Sequence, residues 1–199
     1  MTSNVTFRTF EMRDADFIYQ CKNDKDLNRM TVGTIREFSH KDAEEWVYHC
    51  MIGDREDMKF WAVCTNDEDK RCIGWASLVN IDMTNKSAET GAILIGDKDY
   101  RDGFAWIESA VFLLKYGFEE LGLNRIYGVC LSEHKMSTQI TKVIYMQTEG
   151  ILRQAIYKNG KYNDLVYSGI LRDEYFAHKE AGDYKLMTII RNLRKVRHE

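Results

Sequence analysis

Not one of the 199 residues is proline, where ordinary usage is about 5%. That absence rules out a switch built on a cis X-Pro bond and carries no further functional meaning. Missing too is any apolar run long enough to cross a bilayer, and the opening MTSNVTFRTF lacks the plan of a secretory leader. A cytoplasmic location is the expectation. Charge of one sign is also absent. The 28 Lys and Arg nearly balance the 31 Asp and Glu, leaving a formal net charge of -3, so neither nucleic acid nor a membrane is expected as a partner. Cysteine is sparse: Cys21, Cys50, Cys64, Cys72 and Cys130 are odd in number, with no C-x-x-C step. Buried free thiols are expected rather than disulfides or a zinc site. The histidines are equally scattered, and no metal is expected.

What is present is ordinary for a folded chain: 44% hydrophobic and 30% charged residues. The pattern predicts one domain over 1–180 and an amphipathic helix over 181–199. Alternation predicts a strand over 5–10. Asp14 is placed to cap a helix over 15–22, and NDKDLNRM to form a second short one. Gly33 breaks the loop TVGTIREF. Ser39 and Glu44 flank the start of a helix reaching about Met51, with Ala43, Trp46, Val47 and Cys50 on its apolar face. Strands follow at 59–65, 72–82 and 88–95, with turns at NDEDK and 84–86. Another strand is expected at 125–131 and a helix over 134–144. Two further strands, 150–157 and 161–171, flank Lys158-Asn159-Gly160, whose Asn-Gly step signals a tight hairpin. A short helix over 173–179 precedes the last helix, 183–197, with Leu186, Ile189, Ile190 and Leu193 on one face. Its basic residues Arg191, Arg194, Lys195 and Arg197 complement a helix C-terminal dipole or meet an acidic partner.

The chain is organised around 96–119. A polar turn runs into a long helix with Ile107, Ala110, Val111, Leu114, Phe118 and Leu121 on one face, ended by Gly122. A strand, a loop and a helix N-terminus make an anion site, because the first N–H groups of a helix lack partners within it. Two strands joined through this helix predict a right-handed parallel crossover.

The phrases AETGAILIGDKDYRDG, LLKYGFEELGLNRI, EGILRQAIYKNGKYNDLVY and ILRDEY resemble the GNAT superfamily of N-acetyltransferases. Within it they resemble the branch of ribosomal-protein N-terminal and spermidine acetyltransferases. The resemblance implies an α/β fold of α+β type, a mixed twisted sheet with helices on both faces. It also implies acetyl-CoA as co-substrate, seated where parallel strands 88–96 and 125–131 splay. The family's pyrophosphate loop reads Arg/Gln-x-x-Gly-x-Gly/Ala. Counted back from Glu108 without a gap, Phe104 and Trp106 fall on the small positions. A one-residue shift puts Gly103 and Ala105 there and Tyr100 on the Arg/Gln position, and this shift is the favoured register, with Arg101 supplying charge. The implied cofactor contacts are Leu94, Ile95, Gly96, Arg101, Asp102, Gly103, Phe104, Ala105, Trp106, His134 and Ser137. Downstream, the family's Asn-x-x-Ser becomes His134-Lys135-Met136-Ser137, its Gly-Phe step becomes Tyr145-Met146, and its tyrosine acid aligns with Thr141.

The reaction this implies is acetyl transfer to a primary amine: a protein N-terminus, a polyamine or an amino sugar. The amine must lose a proton, and Glu89 matches the family's strand-borne carboxylate base. The alternative for Glu89 is pairing with a surface cation. A backbone N–H within 93–95 can stabilise the oxyanion. Ser137, His134 or Tyr145 can stand in for the acid, with His134 better suited to capping a helix or touching pantetheine. Trp61 and Trp75 read as core, and Trp106 either covers the cofactor or blocks it. The acidic stretch 54–57 attracts a cationic substrate or is simply solvated. A catalytically impaired binding protein on the same fold is the competing reading, and the last helix is a candidate homodimer contact.

Overall fold

The computed structural model describes residues 4–33 and 36–196. The expectations that touch residues 34–35 and Arg197 lie outside these. A mixed seven-stranded sheet runs through the chain in the order β1-β2-β3-β4-β5-β7-β6, with β1 Val5–Arg8, β2 Lys59–Thr65, β3 Cys72–Asp82, β4 Ser87–Ile95, β5 Arg125–Leu131, β6 Gln147–Lys158 and β7 Lys161–Leu171. Residues 2–81 with 91–109 form one compact unit, and residues 82–90 with 110–199 form the other. The division passes through β4 and through α4 (Phe104–Lys115).

In the first unit β1, β2 and β3 are antiparallel neighbours. The first strand stops at Arg8, short of the expected residue 10, and Phe10 instead drops into the core at 1% exposure. Helix α1 (Ala15–Asn23) starts after Asp14, but the Asp14 side chain does not cap it. That carboxylate accepts the Glu11 N–H at 2.9 Å and an N–H from each of the two terminal Arg8 guanidinium nitrogens at 2.8 Å. A buried carboxylate needs a charged partner more than a helix end needs a cap. A short α2 (Lys25–Asn28) follows. Ser39, expected at the start of this helix, caps α3 (His40–Ile52), and its reciprocal partner is Asp42. Ala43 and Val47 of α3 join Ile18 and Cys21 of α1 over Ala62, Cys64, Cys72 and Trp75. The Trp46 ring lies 5.2 Å from Phe10 and 5.8 Å from Trp75, so Trp46 is core packing.

In the second unit the start of β4 pairs in parallel with β5, Ser87–Thr90 against Arg125–Gly128, as the crossover requires. Helix α4 ends in a π-helical turn, Tyr116–Glu120, and Gly122 follows at φ +65°, the left-handed stop expected from sequence. Strands β6 and β7 form the hairpin, with Asn159 and Gly160 at φ +54° and +77°, the pair of positive values a type I′ turn demands. β6 starts three residues earlier than expected. Helix α6 (Arg172–Ala181) and α7 (Leu186–Val196) complete the chain. The residues 183–185, expected to be helical, form the turn between them. Ile189 and Leu193 of α7 are buried at 3% and 4%, so these two residues of its apolar face are covered within the protein.

Helix α5 (Lys135–Val143) ends in a Schellman arrangement: Met146 N–H donates to Thr141 O at 2.9 Å and Tyr145 N–H to Lys142 O at 3.1 Å. Glycine is favoured at the left-handed position of this motif, yet Tyr145 holds it at φ +65°. Its ring stacks on His178 at 3.9 Å and its hydroxyl accepts from Asn192 at 2.7 Å. Packing offsets the backbone strain.

Candidate active site: a phosphate-type loop and a strand-borne carboxylate

The loop after β4 is built by backbone before any side chain acts. Within the β2–β3 ladder, β3 carries an irregularity at Ile73: Cys64 pairs with Cys72 and Val63 with Gly74. The extra residue turns its carbonyl outward, and Ile73 O accepts the N–H groups of Gly96 at 2.8 Å and Asp97 at 3.2 Å. Gly74 makes this approach possible: a Cβ there would lie 2.2 Å from the Leu94 carbonyl oxygen. At Gly96 a Cβ would lie 2.3 Å from Cys21 Sγ and 2.8 Å from the Phe17 ring, so α1 packs directly on the start of the loop. Burial pushes the Cys21 thiol up to about 12, which makes it a filler rather than a nucleophile.

Side chains then lock the turn. Arg71 bonds the Asp97 carboxylate at 2.7 Å, and Asp97 in turn accepts the Asp99 N–H at 3.0 Å. Burial works against the charge on Asp97, but Arg71 and the Asp99 N–H outweigh it and hold the carboxyl below its usual range. Arg101 folds back: its Nε donates to Ile95 O at 3.1 Å and its Nη2 to Gly96 O. The positive charge expected from Arg101 therefore sits against the loop's own carbonyls.

Helix α4 opens at Phe104. Asp102 accepts the Phe104 N–H at 2.9 Å, satisfying one orphan donor of the first turn. Gly103 sits at φ +100°, a conformation open to glycine and strained for other residues. Ala105 is 1% exposed. Both residues at the small positions of the shifted register are thus buried. Phe104 and Trp106 are half-buried, and the Trp106 indole donates to Ile93 O at 2.9 Å. Leu94 and Ile95 are each 6% exposed and anchor the strand end.

Glu89, His134 and Ser137 belong to the other unit. Glu89 is half-buried on β4, opposite Tyr127 of β5. His134 is the N-cap of α5: its Nδ1 accepts the Ser137 N–H at 3.0 Å, so a neutral ring carries its proton on Nε2. Thr141, where the resemblance places a tyrosine acid, donates its hydroxyl to Thr138 O at 3.0 Å. Tyr145 is committed to Asn192 and His178, and burial raises its phenol above the usual range.

Three features were beyond sequence reasoning: the Ile73 carbonyl, the Arg71–Asp97 pair and the surroundings of Lys22. The Lys22 ammonium lies 4.9 Å from the Trp46 and Trp75 ring centres and 5.6 Å from that of Phe38. Burial lowers its pKa while the ring faces favour the cation. The run DKD at 97–99 was a usable signal for a side-chain-capped turn; the others join residues far apart in the chain.

A model of the acetyltransferase (GNAT) domain matches residues 4–147. The spermidine N(1)-acetyltransferase of Vibrio cholerae is 28% identical over 182 residues, 90% of this chain and 100% of that protein. A putative ribosomal N-acetyltransferase of Bacillus subtilis is 32% identical over 111 residues, 56% of this chain and 60% of that one. Among solved structures, spermidine N-acetyltransferase from Vibrio cholerae in complex with CoA and spermine superposes with a TM-score of 0.77 at 27% identity, over 88% of this chain and 99% of that one. With its family model spanning well over half of the residues, this chain belongs to the GNAT family of acetyltransferases.

Proposed function

We propose that this acetyltransferase moves the acetyl group of acetyl-CoA to a primary amine, with a polyamine as its acceptor class. The observation that carries the donor half is Gly103 at φ +100° beside the buried Ala105. Small residues there let backbone N–H groups at the start of α4 come close to an anion. Gly96, Asp102 and Gly103 to Trp106 would line the pyrophosphate, and Leu94 and Ile95 would present backbone to the pantetheine. Acetyl-CoA supplies the activated thioester.

The acceptor half rests on the spermidine acetyltransferase relative, which is matched along its whole length. Glu89 would take the proton of the attacking amine through water. His134 holds the start of α5, and Ser137 offers a hydroxyl one turn into that helix. Thr141 makes no tyrosine-like donor, and the reaction asks little of one: a thiol of pKa about 8.5 leaves as thiolate near neutral pH.

The test is a panel of spermidine, spermine, an N-terminal peptide and an amino sugar, each with acetyl-CoA. Released thiol and acetylated product are both measured. A polyamine should turn over fastest, and Glu89→Gln should lower kcat by about 100-fold with little change in KM for acetyl-CoA. Equal turnover by Glu89→Gln would remove the carboxylate base. A faster peptide or amino sugar would reassign the acceptor.

A further inference from the structure

Cys64 of β2 and Cys72 of β3 are register partners across an antiparallel pair. Directly opposite residues in a regular antiparallel ladder have Cα atoms about 4.5–5.5 Å apart, within the range a disulfide bridges, and the irregularity at Ile73 lies on the Gly74 side of this pair. Both side chains enter the same core cluster, at 0% and 4% exposure. The Cys72 thiol donates to Gly74 O at 3.2 Å. The pair lies one step inside the end of the hairpin, which closes with Thr65 N–H on Arg71 O at 2.9 Å.

We propose that Cys64 and Cys72 form an oxidative modification site, closing a reversible disulfide when the protein meets a peroxide. The two thiols are chemically unequal. The neighbouring Cys72 thiol and the Arg8 guanidinium favour the Cys64 thiolate over the opposing effect of burial. Hydrogen bonding to Cys64 and burial keep Cys72 protonated. Cys64 is therefore the attacking sulfur and Cys72 the resolving one. The Cys64 thiolate attacks one peroxide oxygen, the O–O bond breaks, and the other oxygen leaves as water after taking a proton. Cys72 sulfur then attacks the resulting sulfenic sulfur, the S–O bond breaks, and a second water leaves with the Cys72 proton. Two thiols lose two electrons and the peroxide gains them. Access for a small oxidant requires the hairpin end to open locally.

The position gives the bond a consequence. Ile73 stands between Cys72 and Gly74, and its carbonyl holds the N–H groups of Gly96 and Asp97. Arg71, on the other side of Cys72, holds Asp97. A new covalent link at Cys72 would shift the group that seats the loop. This second step rests on the donor reading given above; the disulfide itself does not.

The test treats the intact, reduced protein with hydrogen peroxide, alkylates it in denaturant and maps it after trypsin. Cleavage after Lys59, Lys70, Arg71 and Lys86 puts Cys64 in the peptide 60–70 and Cys72 in the peptide 72–86. The expected result is a joined 60–70/72–86 species that dithiothreitol reverses, with Cys21, Cys50 and Cys130 still alkylated. In Cys72→Ala the joined species disappears and Cys64 advances to sulfinic acid. Both cysteines alkylated after peroxide, or Cys64 joined elsewhere, would overturn the proposal. For the loop, acetyl-CoA should bind the oxidised protein about tenfold more weakly than the reduced. Equal binding by both forms would break the link to the loop. No binding even by the reduced form would refute the donor reading and leave the disulfide result standing.

Discussion

The indole N–H of Trp106 donates to the carbonyl oxygen of Ile93 at 2.9 Å, thirteen residues back along the chain. The bulk that an ungapped alignment would put on a small position of the loop is thereby tied to β4, while Gly103 and Ala105 take the close-packed positions. Trp106→Phe keeps the ring and loses the bond. It should lower stability by about 1 kcal/mol, read from denaturant unfolding, with acetyl-CoA affinity changed less than about threefold. A Trp106→Ala variant that bound acetyl-CoA far more tightly than wild type would show instead that the ring obstructs the site.

The start of the loop depends on the missing side chain at Gly96. In Gly96→Ala the new methyl group would sit 2.3 Å from Cys21 Sγ and 2.8 Å from the Phe17 ring. Overpacking of this kind costs about 1–3 kcal/mol. Adding Cys21→Ala removes the nearer obstacle, so the double variant should recover part of the lost thermal midpoint. A Gly96→Ala protein as stable as wild type would mean that α1 does not press on the loop.

Acid should loosen the loop through Asp97. Its carboxyl is held below the usual range in the folded protein, so the unfolded chain binds protons more readily. The stabilisation is complete above the ordinary carboxylate pKa of about 3.9 and is lost as pH falls through the lower folded value. Asp97→Asn should cost about 1 kcal/mol at pH 7, and the gap to wild type should narrow below about pH 4. Thermal midpoints measured from pH 3 to 8 will read this; a gap that widens in acid would contradict the assignment.

Tyr145 gives a separate test of strain against packing. Its backbone is left-handed at φ +65° while its ring stacks on His178 at 3.9 Å. Tyr145→Ala keeps the strain and loses the stack, whereas Tyr145→Gly loses both. The glycine variant should therefore be the more stable of the two by about 1 kcal/mol, with both below wild type. Equal stabilities would mean that the left-handed backbone carries no cost here.

Much of this architecture was legible because it is written in local patterns. The strand over 72–82 has an apolar run bounded by turns, the Asn159-Gly160 step dictates a hairpin, and Gly122 marks where its helix must stop. The order of the elements, read from these patterns, is what then matched the family resemblance. One error came where a residue answered two demands. Asp14 looks like a cap, but Arg8 claims its carboxylate. The site was less legible than the fold because much of it is backbone. No side-chain code announces that the Ile73 carbonyl will hold Gly96 and Asp97. Lys22 meets Trp46 and Trp75 only because separate elements fold together. The register of the loop was argued from residue size, and Gly103 at φ +100° is in keeping with it.

The most direct measurement is a calorimetric titration of acetyl-CoA into the purified, reduced protein. Saturable binding at one molecule per chain is predicted, weakened at least about tenfold in Gly103→Val while circular dichroism shows that the fold is kept. Absence of binding to well-folded wild type, or unchanged binding by Gly103→Val, would contradict the assignment of this loop to the acetyl donor.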